Sequence, residues 1–433
     1  MIRSTRISWI LALAWMLISC GSDNTSTDDY PALPADRILA KVGDRIITVD
    51  EFIRRAEYTI RPPYCRGDNA IHKKIILNSL IAEKLLALEN ENADLNEDIS
   101  AYLKGRREQK MRDVLFFEKA YSKVKIDTAK INATAFWGER TYEIQYLSLR
   151  DTTMAKGMQE ALESGLSFEE ICYDLLNLKT IPSRTVEYQT EMDPVLADVL
   201  FSQEYEKGSI IGPVKALDGT YLVIKILGWT RKVRLSPSDK QAAYNEVQEK
   251  WITDRAGMIY NQYVHEIMRG KRMTLVEDTF TEFADVVMEH YLTSQKKKEE
   301  MVQMTLWEQE QDQVYPDVKT GTVFSPDMPL LELDGDIWDL REIETLIRSH
   351  PIVFRDKKIS EREFPQQLKY AIADLIRDHF LNEAAYEAGY DQHPTVKQEE
   401  LMWQDSHLSN IKTQEYPQQQ GFHDSTLNNY SAA

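Results

Sequence analysis

The alternation of apolar and polar positions is clearest near the start of the chain, from Ile38 to Glu89. Two short apolar strands flank Gly43-Asp44, which suits a tight hairpin turn because Gly, and Asp more than most residues, tolerates a positive φ. Thr48 can cap the helix that follows, and Glu51 stands where a capping box requires it. A longer helix comes next, and its helical spacing predicts one apolar face that needs a packing partner. This face consists of Leu77, Leu80, Ile81, Leu85 and Leu88.

Strand and helix patterns alternate further along the chain. β-branched and aromatic residues predict strands over Thr141–Leu149 and Thr220–Ile226. Helical patterns cover much of the rest, including Ile99–Lys123 and Pro237–Met268, which Ser236 can cap. The mixture predicts an α+β fold, in which mostly helical N- and C-terminal lobes flank a small α+β domain.

The opening unit has a second copy near the C-terminus. From Leu333 to Gly389 the chain repeats turn, cap, capping-box partner and long apolar helix in the same order. Asp334-Gly335 takes the turn, Asp339 the cap and Glu342 the box position, with a loop four residues longer before the helix. Convergence of two amphipathic units is the alternative, but agreement at each position favours a repeat. Two copies predict two lobes that pack together or face each other.

Both ends of the chain differ from its body. Residues 1–19 have the charged start and apolar run of a secretory signal, and this run is too short to span a bilayer comfortably. It ends in Leu-Ile-Ser-Cys, which resembles the bacterial lipobox, so that Cys20 would carry a lipid after cleavage. An ordinary signal peptide with a chance cysteine is the alternative. The polar residues 20–37 predict a flexible tether, and residues 415–433 a disordered tail.

Composition narrows the chemistry. The chain has 433 residues and a formal charge of −18, so it should be repelled by nucleic acid, and we predict no nucleic-acid partner. Beyond Cys20, only Cys65 and Cys172 remain, which are too few for a disulfide scaffold. The sequence contains no phosphate-binding glycine loop, no Gly-x-Ser-x-Gly elbow and no Cys-x-x-Cys pair. It therefore predicts no cofactor and no metal site.

The segment 138–230 combines a distinct order of elements with five marked positions: Met192, Phe201, Gly208, Pro213 and Gly219. In this order and at these positions it resembles a parvulin-type peptidyl-prolyl isomerase domain. The opening hairpin and helices resemble the N-terminal region of the SurA and PrsA class of envelope chaperones. Together with the C-terminal copy, the resemblance covers most of the mature chain, and it rests on the order of several weak motifs.

The catalytic histidines of parvulins are missing from the positions that the resemblance assigns to them. Parvulins place one histidine on the first strand and another on the last, where this chain has Tyr146 and Leu222, or Tyr221 if the turn is one residue longer. No histidine lies between residues 142 and 229, and Ser183–Glu187 replaces the Gly-Gly-Asp-Leu-Gly stretch of the family. We expect weak or absent isomerase activity from a groove that can still bind prolyl segments. The resemblance implies four groove residues: Tyr146, Met192, Phe201 and Leu222.

The patterns and the resemblance divide the chain into successive regions. The signal and the tether are followed by an N-terminal chaperone region, the parvulin-like domain, a helical linker, the C-terminal hairpin–helix copy and the tail. These five regions span residues 38–137, 138–230, 231–328, 329–414 and 415–433.

The function that the resemblance implies is that of a chaperone or foldase of the cell envelope, anchored to a membrane by its lipid with its body in the periplasm. Its partners would be unfolded or nascent exported proteins, such as outer-membrane proteins, sheltered by apolar surfaces of the two lobes. Two alternatives stay open. One is an active peptidyl-prolyl cis-trans isomerase, in which a tyrosine hydroxyl replaces a histidine as the hydrogen-bond donor. The other is an assembly-factor lipoprotein with a single partner.

Overall fold

The computed structural model of the chain describes residues 37–58, 69–234, 236–304, 325–356 and 359–419. The predictions for the signal, Cys20, the tether up to residue 36, Cys65 and the tail beyond residue 419 lie outside this part of the chain. Two compact units are present, residues 1–111 with 272–433, and residues 112–271. We call them the terminal unit and the central unit. The domain boundaries drawn from the sequence stay predictions.

The terminal unit begins with the predicted hairpin and helices. In chain order these are β1 (Ile38–Val42), β2 (Arg45–Thr48), α1 (Val49–Tyr58), α2 (Ala70–Glu89) and α3 (Glu97–Lys119). The strands β1 and β2 pair antiparallel. The last turns of α3, from residue 112, belong to the central unit.

The central unit is built on an antiparallel sheet with the strand order β4-β3-β6-β5. Its elements are α4 (Thr128–Trp137), β3 (Arg140–Leu149), α5 (Thr152–Glu163), α6 (Phe168–Glu170), β4 (Ser183–Glu187), α7 (Pro194–Phe201), β5 (Ile210–Lys215), β6 (Tyr221–Arg231) and α8 (Pro237–Met268). The predicted helix Pro237–Met268 is confirmed, and the Ser236 side chain accepts the Asp239 N–H as its cap.

The terminal unit resumes with a second sheet of order β7-β8-β9 and four helices. Its elements are β7 (Met273–Leu275), α9 (Glu277–Met304), β8 (Pro329–Leu333), β9 (Asp336–Asp339), α10 (Leu340–Ser349), α11 (Phe364–Glu387) and α12 (Pro394–Gln419). The segment predicted as a helical linker thus contributes β7, which pairs with β8 of the hairpin copy. Helix α12 continues to Gln419, past the predicted start of the tail at residue 415.

These elements confirm the predicted α+β class with mostly helical lobes. The second hairpin turns at Asp334 and Gly335, with φ values of +56° and +98°, as a two-residue turn between twisted strands requires. Asp339 and Glu342 form a complete capping box at the start of α10. The box predicted at Thr48 is only half formed. The Thr48 hydroxyl accepts the Glu51 N–H at 3.0 Å, but the Glu51 carboxylate is directed to Lys84 instead.

Helix α2 packs against α12, which follows the repeated unit Leu333–Gly389 but lies largely within the predicted C-terminal region 329–414. The long helix of the repeated unit, α11, packs against α9. Leu80 of α2 is buried as expected, but Leu85 is 52% exposed, so its place on the buried face was predicted wrongly. Helix α12 therefore covers one face of α2.

The contact between α2 and α12 encloses four charged side chains. Lys84 is 1% exposed, and its Nζ lies 2.8 Å from Glu51 Oε1 and 3.0 Å from Asp405 Oδ2. Asp405 is fully buried and also accepts a hydrogen bond of 3.2 Å from Arg45 Nε. Two cations and two carboxylates thus balance within the described core. Ion pairs of this kind specify which helices meet more than they add to stability.

A second polar cluster joins α3 to α10 and α11. The Glu108 carboxylate accepts hydrogen bonds from the Asn382 amide at 3.0 Å and from the Tyr386 hydroxyl at 3.1 Å. His350 Nε2 lies 2.6 Å from Glu108 Oε2, and Lys104 Nζ lies 3.8 Å from Oε1. Burial by itself raises the pKa of Glu108, but His350, Lys104 and Tyr386 more than offset it, and the pKa lies below its ordinary value.

Acidification is expected to remove the stability that Glu108 contributes. A carboxyl group whose pKa is lowered on folding stabilises the folded state above its unfolded pKa of about 4.3, and this is lost as the pH falls through the folded pKa. Between about pH 5 and pH 3, the free energy of unfolding should therefore fall less steeply in Glu108→Gln than in the wild type. Urea unfolding across this pH range measures both slopes. Equal slopes would rule out the contribution of Glu108.

Candidate functional site

The sheet of the central unit places the candidate positions on two different faces. Tyr146 and Leu222 pack against the core on the face that α7 covers with parts of α4 and α8. Tyr221 packs on the opposite face with α5, and its hydroxyl lies 3.1 Å from Thr152 Oγ1. Successive side chains of a strand point to opposite faces. Of the two last-strand positions left open by the sequence, only Leu222 therefore shares a face with Tyr146.

Phe201 supports this face from inside. Its side chain is fully buried, and its ring centroid lies 5.5 Å from those of both Tyr142 and Tyr188. A fully buried ring does not touch a segment bound at the surface. The structure therefore places Phe201 in the core that holds the groove, and not among its contact residues.

Met192 is the most exposed of the candidate groove residues, at 88%. The residues beside it are anchored. Asp193 Oδ1 accepts the N–H of Val195 at 2.8 Å at the start of α7, while Oδ2 accepts the N–H of Leu217 at 3.0 Å in the β5–β6 turn. Glu191 is 5% exposed and accepts the Asp193 N–H at 3.0 Å. An apolar side chain is thus presented to solvent between two fixed carboxylates.

Arg184 occupies the space next to the first-strand position. It lies on β4 and pairs with Ile144 of β3 in register. Its guanidinium carbon lies 5.8 Å from the ring centroid of Tyr146, and its Nη2 lies 2.9 Å from Glu191 Oε2. Sequence reasoning missed this pair, because no spacing rule connects a residue of an edge strand with a carboxylate seven residues later.

The face therefore offers apolar contact and one ion pair. Tyr146 and Leu222 are the positions at which the sequence resemblance predicts histidines. Rotation about the prolyl bond has a barrier of about 20 kcal/mol, which a groove must lower by polarising or twisting the amide. Among the residues that the structure describes, no group of three or more His, Cys, Asp or Glu side chains could hold a metal ion.

The terminal unit carries a second candidate surface on α2. Ile71, Ile75 and Leu85 are 72%, 41% and 52% exposed. At about 100° per residue, these positions fall within about 80° of the helix circumference, so they form one stripe. The exposed Ala82 lies within the stripe, and Asn78 interrupts it. We call Ile71, Ile75 and Leu85 the α2 stripe. Scattered exposed apolar residues are normal, but aligned ones indicate an interaction surface.

Comparisons with known proteins place the chain near one class of structures. No protein-family model matches it. No curated protein is similar to it. PrsA from Bacillus subtilis is similar at 16% identity and a TM-score of 0.17, over 52% of this chain and 91% of that one. The foldase protein PrsA from Streptococcus pneumoniae is similar at 12% identity and a TM-score of 0.20, over 52% and 93%. The peptidylprolyl isomerase PrsA from Bacillus cereus is similar at 15% identity and a TM-score of 0.20, over 53% and 91%.

These solved structures are of the PrsA class that the sequence resemblance indicated. Because their TM-scores are 0.17–0.20, the likeness carries no argument about function, and the side chains of this chain must supply it. Among the described helices, none combines the length and the apolar character that crossing a membrane requires.

Proposed function

We propose that the protein is a chaperone of the cell envelope that holds unfolded exported proteins by apolar contact, without isomerase catalysis. Its lipid at Cys20 would keep it at a membrane, and its clients would include outer-membrane proteins. The observation that carries the proposal is the α2 stripe. It is a row of apolar side chains, 41–72% exposed, on a helix whose opposite face is fixed by buried ion pairs. A rigid helix with an exposed apolar row suits an extended client that adapts to it.

The central unit has a supporting role in this proposal. Met192, at 88% exposure, offers a flexible apolar contact, and methionine adapts to varied partners. Arg184 lies over the Tyr146 ring and is held there by its ion pair with Glu191, so this face presents a ring and a charge pair to a bound segment. These features support binding of prolyl segments and give no support to the active-isomerase alternative.

Replacing the α2 stripe is expected to weaken client binding at least about tenfold, since a client that buries the three partly exposed side chains gains up to about 1.5 kcal/mol from each, and about 1.4 kcal/mol corresponds to tenfold. The variant is Ile71→Gln with Ile75→Gln and Leu85→Gln, because glutamine keeps the helix and removes the apolar surface. The measurement is light scattering from an unfolded outer-membrane protein diluted into buffer with increasing amounts of the full chain.

The matched control is Met154→Gln with Met258→Gln. Both side chains are 42% exposed and lie on helices of the central unit. The control should protect the client as well as the wild type does. Equal loss in both variants, or no protection by the wild type at an equimolar ratio, would contradict the proposal. Crosslinking that captures one stoichiometric partner and no unfolded clients would favour the assembly-factor alternative.

A further inference from the structure

A group of aromatic rings in the central unit has no part in the groove described above. The end of α3 and the 3₁₀ turn at Tyr121–Lys123 lie beside the C-terminal half of α8. Phe117 stacks on Tyr121 with centroids 5.7 Å apart, and Phe116 meets Tyr260 edge-on at 5.2 Å. Tyr260 in turn stacks on Tyr263 at 6.1 Å. Five rings thus form a continuous group: Phe116, Phe117, Tyr121, Tyr260 and Tyr263.

This group is open to solvent at one end. Phe117 is 51% exposed, and the nearby Ile126 is 58% exposed. The remaining rings are only partly buried. Aromatic side chains bury large areas, and tyrosine is enriched among the residues that contribute most to binding at protein interfaces. An exposed stack on fixed helices therefore has the character of a contact surface.

Lysines border the rings. Lys119, Lys123 and Lys125 are all exposed, and Lys119 Nζ lies 5.8 Å from the ring centroid of Tyr263. No salt bridge of the described residues includes any of these three lysines. Exposed carboxylates also lie on α3 and α8, among them Asp113, Glu118 and Glu266. The nearby carboxylate of Asp127 caps α4 by accepting the Lys130 N–H at 3.1 Å.

The charge of this group sets it apart from the chain as a whole. The chain as a whole has a formal charge of −18 and should repel anionic partners. Next to these exposed rings, however, the lysines have no carboxylate partners among the described residues, so an anionic partner is not repelled there. Its partner should supply both an apolar face and carboxylates. We call the five rings with Lys119, Lys123 and Lys125 the aromatic–lysine patch.

We propose that the aromatic–lysine patch binds extended client segments that carry aromatic side chains next to carboxylates. The proposal rests on the chaperone function above and adds a preference among clients. Side chains two residues apart in an extended segment lie about 7 Å apart on one side. Neighbouring rings of the patch are 5.2–6.4 Å apart, so successive aromatic side chains can each meet a ring. Carboxylates beside them reach the three lysines.

The test measures binding of two fluorescent peptides to the full chain by anisotropy. Both carry the same alternating tyrosines, with aspartates at the flanks of one and lysines at the flanks of the other. The aspartate peptide should bind the wild type about tenfold more tightly, and added salt should reduce this preference. Phe117→Gln with Tyr121→Gln should weaken binding of the aspartate peptide about tenfold. Lys123→Glu with Lys125→Glu should abolish the preference between the peptides.

The control pair Lys207→Glu with Lys215→Glu changes two exposed lysines elsewhere in the central unit and should leave both affinities unchanged. Equal binding of the two peptides, or binding unaffected by both patch variants, would overturn the proposal. So would patch-dependent sedimentation with phosphatidylglycerol vesicles without peptide preference, or patch-dependent self-association. The light-scattering assay reports separately on the chaperone function. Protection of the client without a preference between the peptides would rule out only the proposal for the patch. Absence of protection would rule out the proposed chaperone function.

Discussion

Replacing Lys84 with methionine is expected to lower the free energy of unfolding by about 3–5 kcal/mol, because it removes the cation that lies between two buried carboxylates. Glu51 and Asp405 both lie within 3.0 Å of Lys84 Nζ, and neither can turn to water. Arg45 would still neutralise Asp405 in part, through its hydrogen bond of 3.2 Å. The larger share of the loss should therefore come from Glu51. Urea unfolding followed by circular dichroism measures the effect.

The matched control is Lys74→Met, on the exposed face of the same helix, which should change the free energy of unfolding by less than about 0.5 kcal/mol. A second variant tests the pairing itself. Adding Asp405→Asn to Lys84→Met should lower the free energy of unfolding by less than the sum of the two single changes. Once the lysine is gone, neutralising Asp405 removes a buried charge that has lost a partner. A strictly additive double variant would show that the two side chains do not interact.

Gly105→Ala is expected to destabilise the protein by about 1–3 kcal/mol, although alanine is the better helix former. A Cβ at residue 105 of α3 would lie 1.8 Å from the Ser349 carbonyl oxygen and 2.8 Å from its carbon. Both atoms belong to the backbone at the end of α10, so no side chain can turn aside. Either α3 or α10 must shift, which would disturb the nearby Glu108–His350 contact.

Two other helix glycines provide the opposite expectation. A Cβ at Gly157 or Gly257 would meet nothing within 4 Å, so alanine at either position should raise the free energy of unfolding by about 0.5–1 kcal/mol. Thermal unfolding of the three variants compares them directly. Stabilisation by Gly105→Ala would contradict the close approach of α3 to α10.

Local signals in the sequence predicted much of the secondary structure. The caps at Ser236 and Asp339 and the turn at Asp334-Gly335 are set by neighbouring residues, and each forms as expected. The second hairpin and its long helix also appear in the predicted order. Such features depend on interactions over a few residues, which a sequence displays directly.

Contacts between distant segments could not be predicted in the same way. Lys84 interrupts an apolar helix face, and its partner Asp405 lies in a segment that carries no matching signal. The capping box at Glu51 failed for the same reason, because a buried lysine competes for its carboxylate. The spacing placed Leu85 on the buried face of α2, yet its side chain is exposed because α12 packs against a different side of the helix.

The candidate groove shows what local signals could predict and what they could not. The sequence could not decide between Tyr221 and Leu222, because a turn of uncertain length leaves the parity of a strand open. The register of β6 against β3 pairs Tyr146 with Ile224, so Leu222, two residues from Ile224, lies on the same side of the sheet as Tyr146 and Tyr221 does not. Phe201 matched the family pattern, but a pattern does not distinguish a residue in the groove from one beneath it.

Refolding of a client whose slow phase is prolyl isomerisation separates binding from catalysis most directly. This phase takes about 10–100 s without a catalyst. With the full chain present, its rate constant should stay unchanged at every concentration, while an equimolar amount of the chain raises the yield of soluble client. A rate constant that rises with substoichiometric amounts of the chain would contradict the account, because it would show isomerase catalysis.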